Sequence, residues 1–141
     1  MSLFIIRHAH AVDVEEEPTR PLSKRGRKQV RQMAAFLKKT DALRVDEIWH
    51  SPLARSVETA KLLAKRLGLR AKLVEVDGLK GEDDPSVVAG RLKSCRLPLA
   101  IVGHEPHLSA FLSLLVAGAP EPRKFLLKKC AVVALEHDDG Q

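Results

Sequence analysis

The chain has no tyrosine, one tryptophan and four phenylalanines among its 141 residues. Single-stranded nucleic acid is held largely by stacking bases on aromatic rings, so this scarcity disfavours such a partner. There are only two cysteines, Cys95 and Cys130, and they fit neither a metal-ligand spacing nor a disulfide framework. Both are expected to be reduced, buried thiols of a cytoplasmic protein. No apolar run approaches the ~18–20 residues needed to span a bilayer. The stretch from Leu3 to Ile6 is cut short by Arg7 and lacks the basic and apolar regions of a signal peptide, so export is not expected.

What is present is charge and a moderate apolar content. The formal net charge is +6, which attracts phosphorylated or acidic ligands and raises the prior for polyanions. A hydrophobic fraction of 45% with 30% charged residues fits a globular chain rather than a disordered one. The length suits one domain over residues 1–141 with one core.

The patterning alternates between strands and helices. Leu3 to Ile6 reads as a buried first strand with Arg7 and His8 at its tip. A polar loop over 11–21 follows, with the solvated run Glu15 to Glu17. From Ser23 to about Lys39, Val30, Met33, Ala34 and Leu37 recur at helical spacing, with Ser23 as cap. Asp46 to His50 reads as a strand, and Ser51 with Pro52 as the cap and first residue of a second helix. That helix has an apolar stripe of Leu53, Val57, Ala60, Ala64 and Leu67, and Gly68 stops it. Residues 71–76 form a third strand candidate, and Asp84 with Pro85 opens a helix to about Leu92. Leu99 to Val102 is a buried strand ending in Gly103 and His104. Pro106 opens a helix with Leu108, Phe111, Leu112, Leu115 and Val116 as its apolar residues, and the last strand spans Cys130 to Leu135. This order predicts a single three-layer α/β/α domain with a mostly parallel central sheet.

Ligands of such sheets collect at the C-terminal ends of the strands. Three of those ends hold polar residues here: Arg7 with His8, His50 with Ser51, and Gly103 with His104. Arg55 lies one turn into the following helix. Two imidazoles and two guanidiniums suit phosphoryl transfer, because arginine forks pair with phosphate oxygens and a neutral imidazole can attack phosphorus. Adjacent strand residues point to opposite faces, so Arg7 and His8 can share one phosphate only if the strand ends there.

The segment FIIRHA over Phe4 to Ala9 resembles the strand-plus-RHG signature of the histidine phosphatase (phosphoglycerate mutase-like) superfamily. SPLARSVETA over Ser51 to Ala60 resembles its second motif, and VGHEP over Val102 to Pro106 its third. The resemblance implies a phosphoglycerate mutase-like fold and no cofactor or metal. It implies His8 as nucleophile, Arg7 and Arg55 as phosphate-binding arginines, and His104 as the second pocket histidine. The short length and RPLSKRG over Arg20 to Gly26 are most similar to the SixA-type protein phosphohistidine phosphatases. That places Arg20 on the substrate side; Ser51, a helix cap rather than a nucleophile, is a second substrate-binding candidate. The RHG glycine is Ala9 here. The family's acidic proton donor has no clear match; Glu82 is the best candidate of Glu82, Asp83 and Asp84, since Asp84 is explained as a helix cap.

A site without a strong acid favours phosphohistidine as substrate, because an imidazole leaving group is protonated far more readily than an alkoxide. The expected partner is a phosphorylated protein bearing phosphohistidine, with a small phosphate ester as the alternative, and the chain is expected to act as a monomer away from membranes. Two rivals come from other classes. A metal-dependent phosphoesterase would draw ligands from His8, His10, His104, His107 and Asp13, although the arginines would repel a dication. A non-catalytic polyanion binder would rest on net charge alone. His10 and His107 read as loop or rim histidines, and His50 as a strand end. The basic residues between Lys24 and Lys39 read as the solvated face of a helix ahead of a docking surface.

Overall fold

Apolar residues in pairs and triplets at strand spacing place five strands in one sheet. A computed structural model of the chain describes residues 2–122 and 125–136. The strands are β1 (Ser2–Arg7), β2 (Glu47–His50), β3 (Lys72–Glu75), β4 (Leu99–Gly103) and β5 (Val132–Glu136). Their order is β3-β2-β4-β1-β5; β5 runs antiparallel to β1 and the other pairs are parallel. β1 and β4 are covered on both faces, which is why their sequences are unbroken apolar runs rather than alternating ones.

Four helices flank the sheet: α1 (Lys24–Thr40), α2 (Ala54–Leu67), α3 (Pro85–Lys93) and α4 (His107–Ala117). On one face Val30, Ala34 and Leu37 of α1 and Ala60 and Leu63 of α2 pack on Phe4, Ile6, Ile48 and Val102. On the other, Val88 of α3 and Leu108, Phe111 and Leu112 of α4 pack on Ile5, Trp49 and Ile101. Burying each large aliphatic side chain contributes about 1.5–3 kcal/mol, so these two clusters fix the layers. This is the predicted three-layer α/β/α arrangement. No helix among the described residues is long and apolar enough to cross a membrane.

Several local expectations hold. Ser23 caps α1 by accepting from the Gly26 N–H at 3.0 Å, and Asp84 caps α3 by accepting from the Ser86 N–H at 2.9 Å. Others need correction. α2 starts three residues after Ser51, and Leu53 at its N-cap makes no side-chain cap bond. Leu115 and Val116 are exposed, because α4 turns only one side to the sheet. Cys130 lies outside β5, in a turn with φ +61°, and is buried; Cys95 is only half-buried.

Candidate active site

The parallel register decides which side chains meet. Arg7 of β1 pairs with Gly103 of β4, so the next residues, His8 and His104, leave adjacent strands side by side. Their ring centroids are 4.9 Å apart and tilted by 52°. His50 of β2 pairs with Val102, which sets Ser51 beside Gly103; the Ser51 Oγ then reaches His104 Nε2 at 2.6 Å. β1 ends at Arg7, so the geometric condition on Arg7 and His8 is met by the strand stopping between them.

His8 is held in one orientation. Its Nδ1–H donates to the Ala9 carbonyl at 2.7 Å, which puts the ring's lone pair on Nε2. Ala9 is itself fixed, since its N–H donates to the Thr59 Oγ1 at 3.1 Å, and the Thr59 hydroxyl donates to the Arg55 carbonyl at 2.7 Å. Within the same motif, the Ser56 hydroxyl donates to the Val102 carbonyl and accepts from the Ser51 N–H. Thr59 and Ser56 therefore tie α2 to the tips of β1 and β4. Neither was singled out from sequence; their signal was a hydroxyl on the buried face of an amphipathic helix.

Ser51 accepts from the Leu53 N–H at 3.3 Å, so its own proton is available to His104 Nε2. That leaves the His104 proton on Nδ1. The Nδ1 atom is buried and has no hydrogen-bond partner among the described residues, and the same holds for the Nε of Arg7. The other end of the Arg7 guanidinium donates through Nη1 to the Leu127 carbonyl at 2.8 Å. Leu127 is in turn held by Glu105, which accepts from the Leu127 N–H at 3.3 Å and from the Ser109 N–H and hydroxyl. Glu105 is thus a strut between α4 and the Arg7 support.

Both imidazoles are neutral at physiological pH. His8 is 7% exposed, and burial first, then Arg55, Arg7 and Lys129, holds it down to about 4 against the opposing Ala9 bond. His104 is 3% exposed and is held down to about 3 by burial, then by His8, Arg55, His107 and Arg7. Burial and then Arg20 lower Arg55 as well. The leading charges acting on His8 are the cations Arg55, Arg7 and Lys129.

The other sequence candidates fall in different places. Arg20 lies close enough to Arg55 to act on it, and its Nε–H donates to the Val12 carbonyl at 3.0 Å. Glu82 is exposed, on a loop whose Gly81 backs onto the Glu105 carbonyl. His10 shares a 2.7 Å bond with the Ser23 hydroxyl through Nδ1. His107, read from sequence as a rim histidine, is instead 1% exposed and stacked near Phe111 in the core. His50 is buried and donates through Nδ1 to the Ser51 carbonyl. The ligand set of the metal reading is not gathered: among the described residues, no group of three or more His, Cys, Asp or Glu is placed to hold a metal ion. Lys129, which sequence reasoning passed over, is a third cation bearing on His8.

Residues 3–81 match the family model described as histidine phosphatase superfamily, branch 1. A search of the curated proteins finds no match. Among solved structures, the chain is similar to the protein histidine phosphatase SixA complexed with tungstate. The two share 22% identity at TM-score 0.84, over 99% of this chain and 90% of that one. It is also similar to the alpha-ribazole phosphatase from Shigella flexneri, with 17% identity and TM-score 0.82 over 99% and 92% of the two chains. A phosphoserine phosphatase mutant from Entamoeba histolytica, in complex with phosphoserine, shares 15% identity at TM-score 0.67 over 99% and 92%. The matched segment runs from β1, which ends directly before His8, past the helix bearing Arg55 to Gly81, more than half of the chain, and on that ground the protein belongs to the histidine phosphatase superfamily and is a phosphatase.

Proposed function

We propose that this phosphatase removes phosphate from phosphohistidine in a protein substrate, through a phosphoryl group carried on His8. The observation that supports this reading most is the make-up of the site: Arg55, Arg7 and Lys129 lead the charges acting on His8, and the carboxylate candidate Glu82 is exposed. Such a pocket attracts a phosphoryl group but offers no acid to an alkoxide. A phosphohistidine does not need one, because its leaving imidazole takes a proton from water near neutral pH.

In the first step the His8 Nε2 lone pair forms a bond to phosphorus as the substrate's P–N bond breaks. The Ala9 carbonyl, bonded to Nδ1–H, stabilises the positive charge that develops on the ring. Arg7 Nε–H and His104 Nδ1–H, both without a partner among the described residues, are free to donate to phosphate oxygens, and Arg55 adds a further fork. Because these donors are already in place, they cost little reorganisation as charge shifts in the transition state. In the second step water attacks phosphorus, the P–Nε2 bond breaks, and neutral His8 returns with release of phosphate. Ser51 acts through His104, whose proton it keeps on Nδ1. Arg20, adjacent to Arg55, contacts the substrate beyond its phosphate. A phosphoprotein is the proposed partner, and one chain supplies the whole site. The likeness to SixA supports the substrate class, while the alpha-ribazole and phosphoserine phosphatases favour a second reading, hydrolysis of small phosphate esters. In that reading Glu82 is the proton donor, reaching in from the loop that backs onto Glu105.

The test is turnover of a phosphohistidine-bearing protein domain and of para-nitrophenyl phosphate, each with excess chelator, by wild type and His8→Ala. Chelator-resistant turnover that prefers the domain and vanishes in His8→Ala is the expected result. Turnover of the ester alone would refute the substrate, and activity indifferent to His8→Ala would refute the mechanism.

A further inference from the structure

Arg7 is gripped by a segment that has no regular structure of its own. Residues 125–131 run past the tip of β1 without forming helix or strand. The Ala131 carbonyl accepts from the Arg7 N–H at 3.1 Å, and the Cys130 N–H donates to the Arg7 carbonyl at 3.0 Å. The Leu127 carbonyl accepts from Nη1 of the guanidinium at 2.8 Å. This last bond bears on the chemistry. A guanidinium is a rigid plane, so anchoring Nη1 also aims the Nε–H, which is buried and has no partner among the described residues. The direction of that donor is set by where the Leu127 carbonyl stands.

A strap without a ladder of its own takes its position from what it bonds to. Leu127 is buried, and its N–H donates to Oε2 of Glu105 at 3.3 Å. That N–H and the Leu127 carbonyl belong to the peptide units on either side of one α-carbon, so the two bonds pin both units. Glu105 is itself firmly seated. Its Oε1 accepts from the Ser109 N–H at 2.7 Å, and its Oε2 also accepts from the Ser109 hydroxyl. A β-carbon at Gly81 would come within 2.8 Å of its carbonyl oxygen, so its backbone is fenced as well. Helix capping accounts for part of this. Pro106 at the N-cap of α4 makes no side-chain bond, and Glu105 supplies one through Oε1. Capping does not call for the second oxygen to reach a residue 22 positions further on.

We infer that Glu105 is a positioning residue for phosphate binding: through Leu127 it aims the Arg7 guanidinium into the pocket, and so bears on catalysis without touching substrate. Such a role rests on the phosphate-binding assignment of Arg7 above. It holds whether the phosphoryl group comes from phosphohistidine or from an ester.

Glu105→Gln separates positioning from capping. The amide oxygen stays with the closer Ser109 N–H, and the NH2 group then faces the Leu127 N–H, donor against donor. Wild type, Glu105→Gln, Arg7→Lys and the double variant are assayed with para-nitrophenyl phosphate, and binding of inorganic phosphate is measured by calorimetry. Glu105→Gln should lower kcat/KM and weaken phosphate binding by about tenfold to a hundredfold, the worth of one charge-assisted hydrogen bond. In the Arg7→Lys background the fork is already lost, and the same substitution should change either quantity by less than about twofold. Equal effects in both backgrounds, or no effect in the wild-type background, would overturn the role. Gly68→Ala is the stability control, since it strains a φ of +64° at the C-terminal end of α2. It should lower the thermal midpoint and leave kcat/KM and phosphate binding unchanged; a matching loss of both would overturn the role, because activity would then merely follow stability. Phosphate binding that weakens in Glu105→Gln through Arg7, alongside turnover that survives His8→Ala, would uphold the positioning and remove the mechanism proposed above. Unchanged phosphate binding in Glu105→Gln would sink the positioning even if His8→Ala abolishes turnover.

Discussion

Acid should unfold this protein through the buried imidazoles of His8 and His104 before its carboxylates are fully titrated. The folded state holds His8 at about 4 and His104 at about 3, whereas an unfolded imidazole titrates near 6.5. Above pH 6.5 both are neutral in either state and cost nothing. As pH falls below 6.5 the unfolded chain takes up protons that the folded chain refuses, so stability falls, and it levels off only near pH 4 and 3. Between pH 7 and 4.5 this amounts to about 2 kcal/mol for each imidazole, or roughly 4–5 kcal/mol for the two, against a typical domain stability of about 5–15 kcal/mol. The assay is urea unfolding at pH 7.0, 5.5 and 4.5 on wild type and on the His8→Gln/His104→Gln double variant, which keeps polarity and similar volume but cannot titrate. Carboxylates elsewhere contribute equally to both proteins. Wild type should lose about 4 kcal/mol more than the double variant over this range. Parallel pH profiles would refute the claim that both rings are buried neutral.

Three further outcomes follow from single contacts. Ser51→Ala should lower kcat for para-nitrophenyl phosphate by about tenfold to a hundredfold with little change in KM, because the hydroxyl acts by keeping the His104 proton on Nδ1; a rise in KM alone would assign Ser51 to binding. Thr59→Val leaves the buried Ala9 N–H unpaired and should cost about 1–3 kcal/mol in urea unfolding. Gly26→Ala pushes a β-carbon into the His10 carbonyl and should cost about 2 kcal/mol or more, read as a lower midpoint of thermal unfolding; an unchanged midpoint would show that α1 can shift freely.

The parts legible in sequence were those with a local signature. Unbroken apolar runs at Leu3 to Ile6 and Leu99 to Val102 announced buried parallel strands, and polar residues directly after them announced a ligand edge. Ser23 and Asp84 were legible as caps because capping needs only a side chain and an amide two or three residues on. Ser51 had the same signature, yet the register of β2 against β4 gives it a stronger partner in His104, and the helix starts later. Lys129 and Thr59 were illegible for a related reason. Each matters through a residue more than 45 positions away, and no local pattern encodes such a pairing. His107 was misplaced because a polar residue directly after the helix-opening Pro106 reads as rim, while α4 turns its ring inward beside Phe111.

The central claim is that phosphate passes through His8 Nε2. Mixing the enzyme with phosphorus-32-labelled phosphohistidine domain, quenching in alkali within milliseconds and separating the protein would trap that species directly. Wild type should yield a labelled enzyme that survives alkali and loses its label in acid, as a phosphoramidate does, and His8→Ala should yield none. Label on His8→Ala, or wild-type turnover with no labelled enzyme at any quench time, would contradict the account.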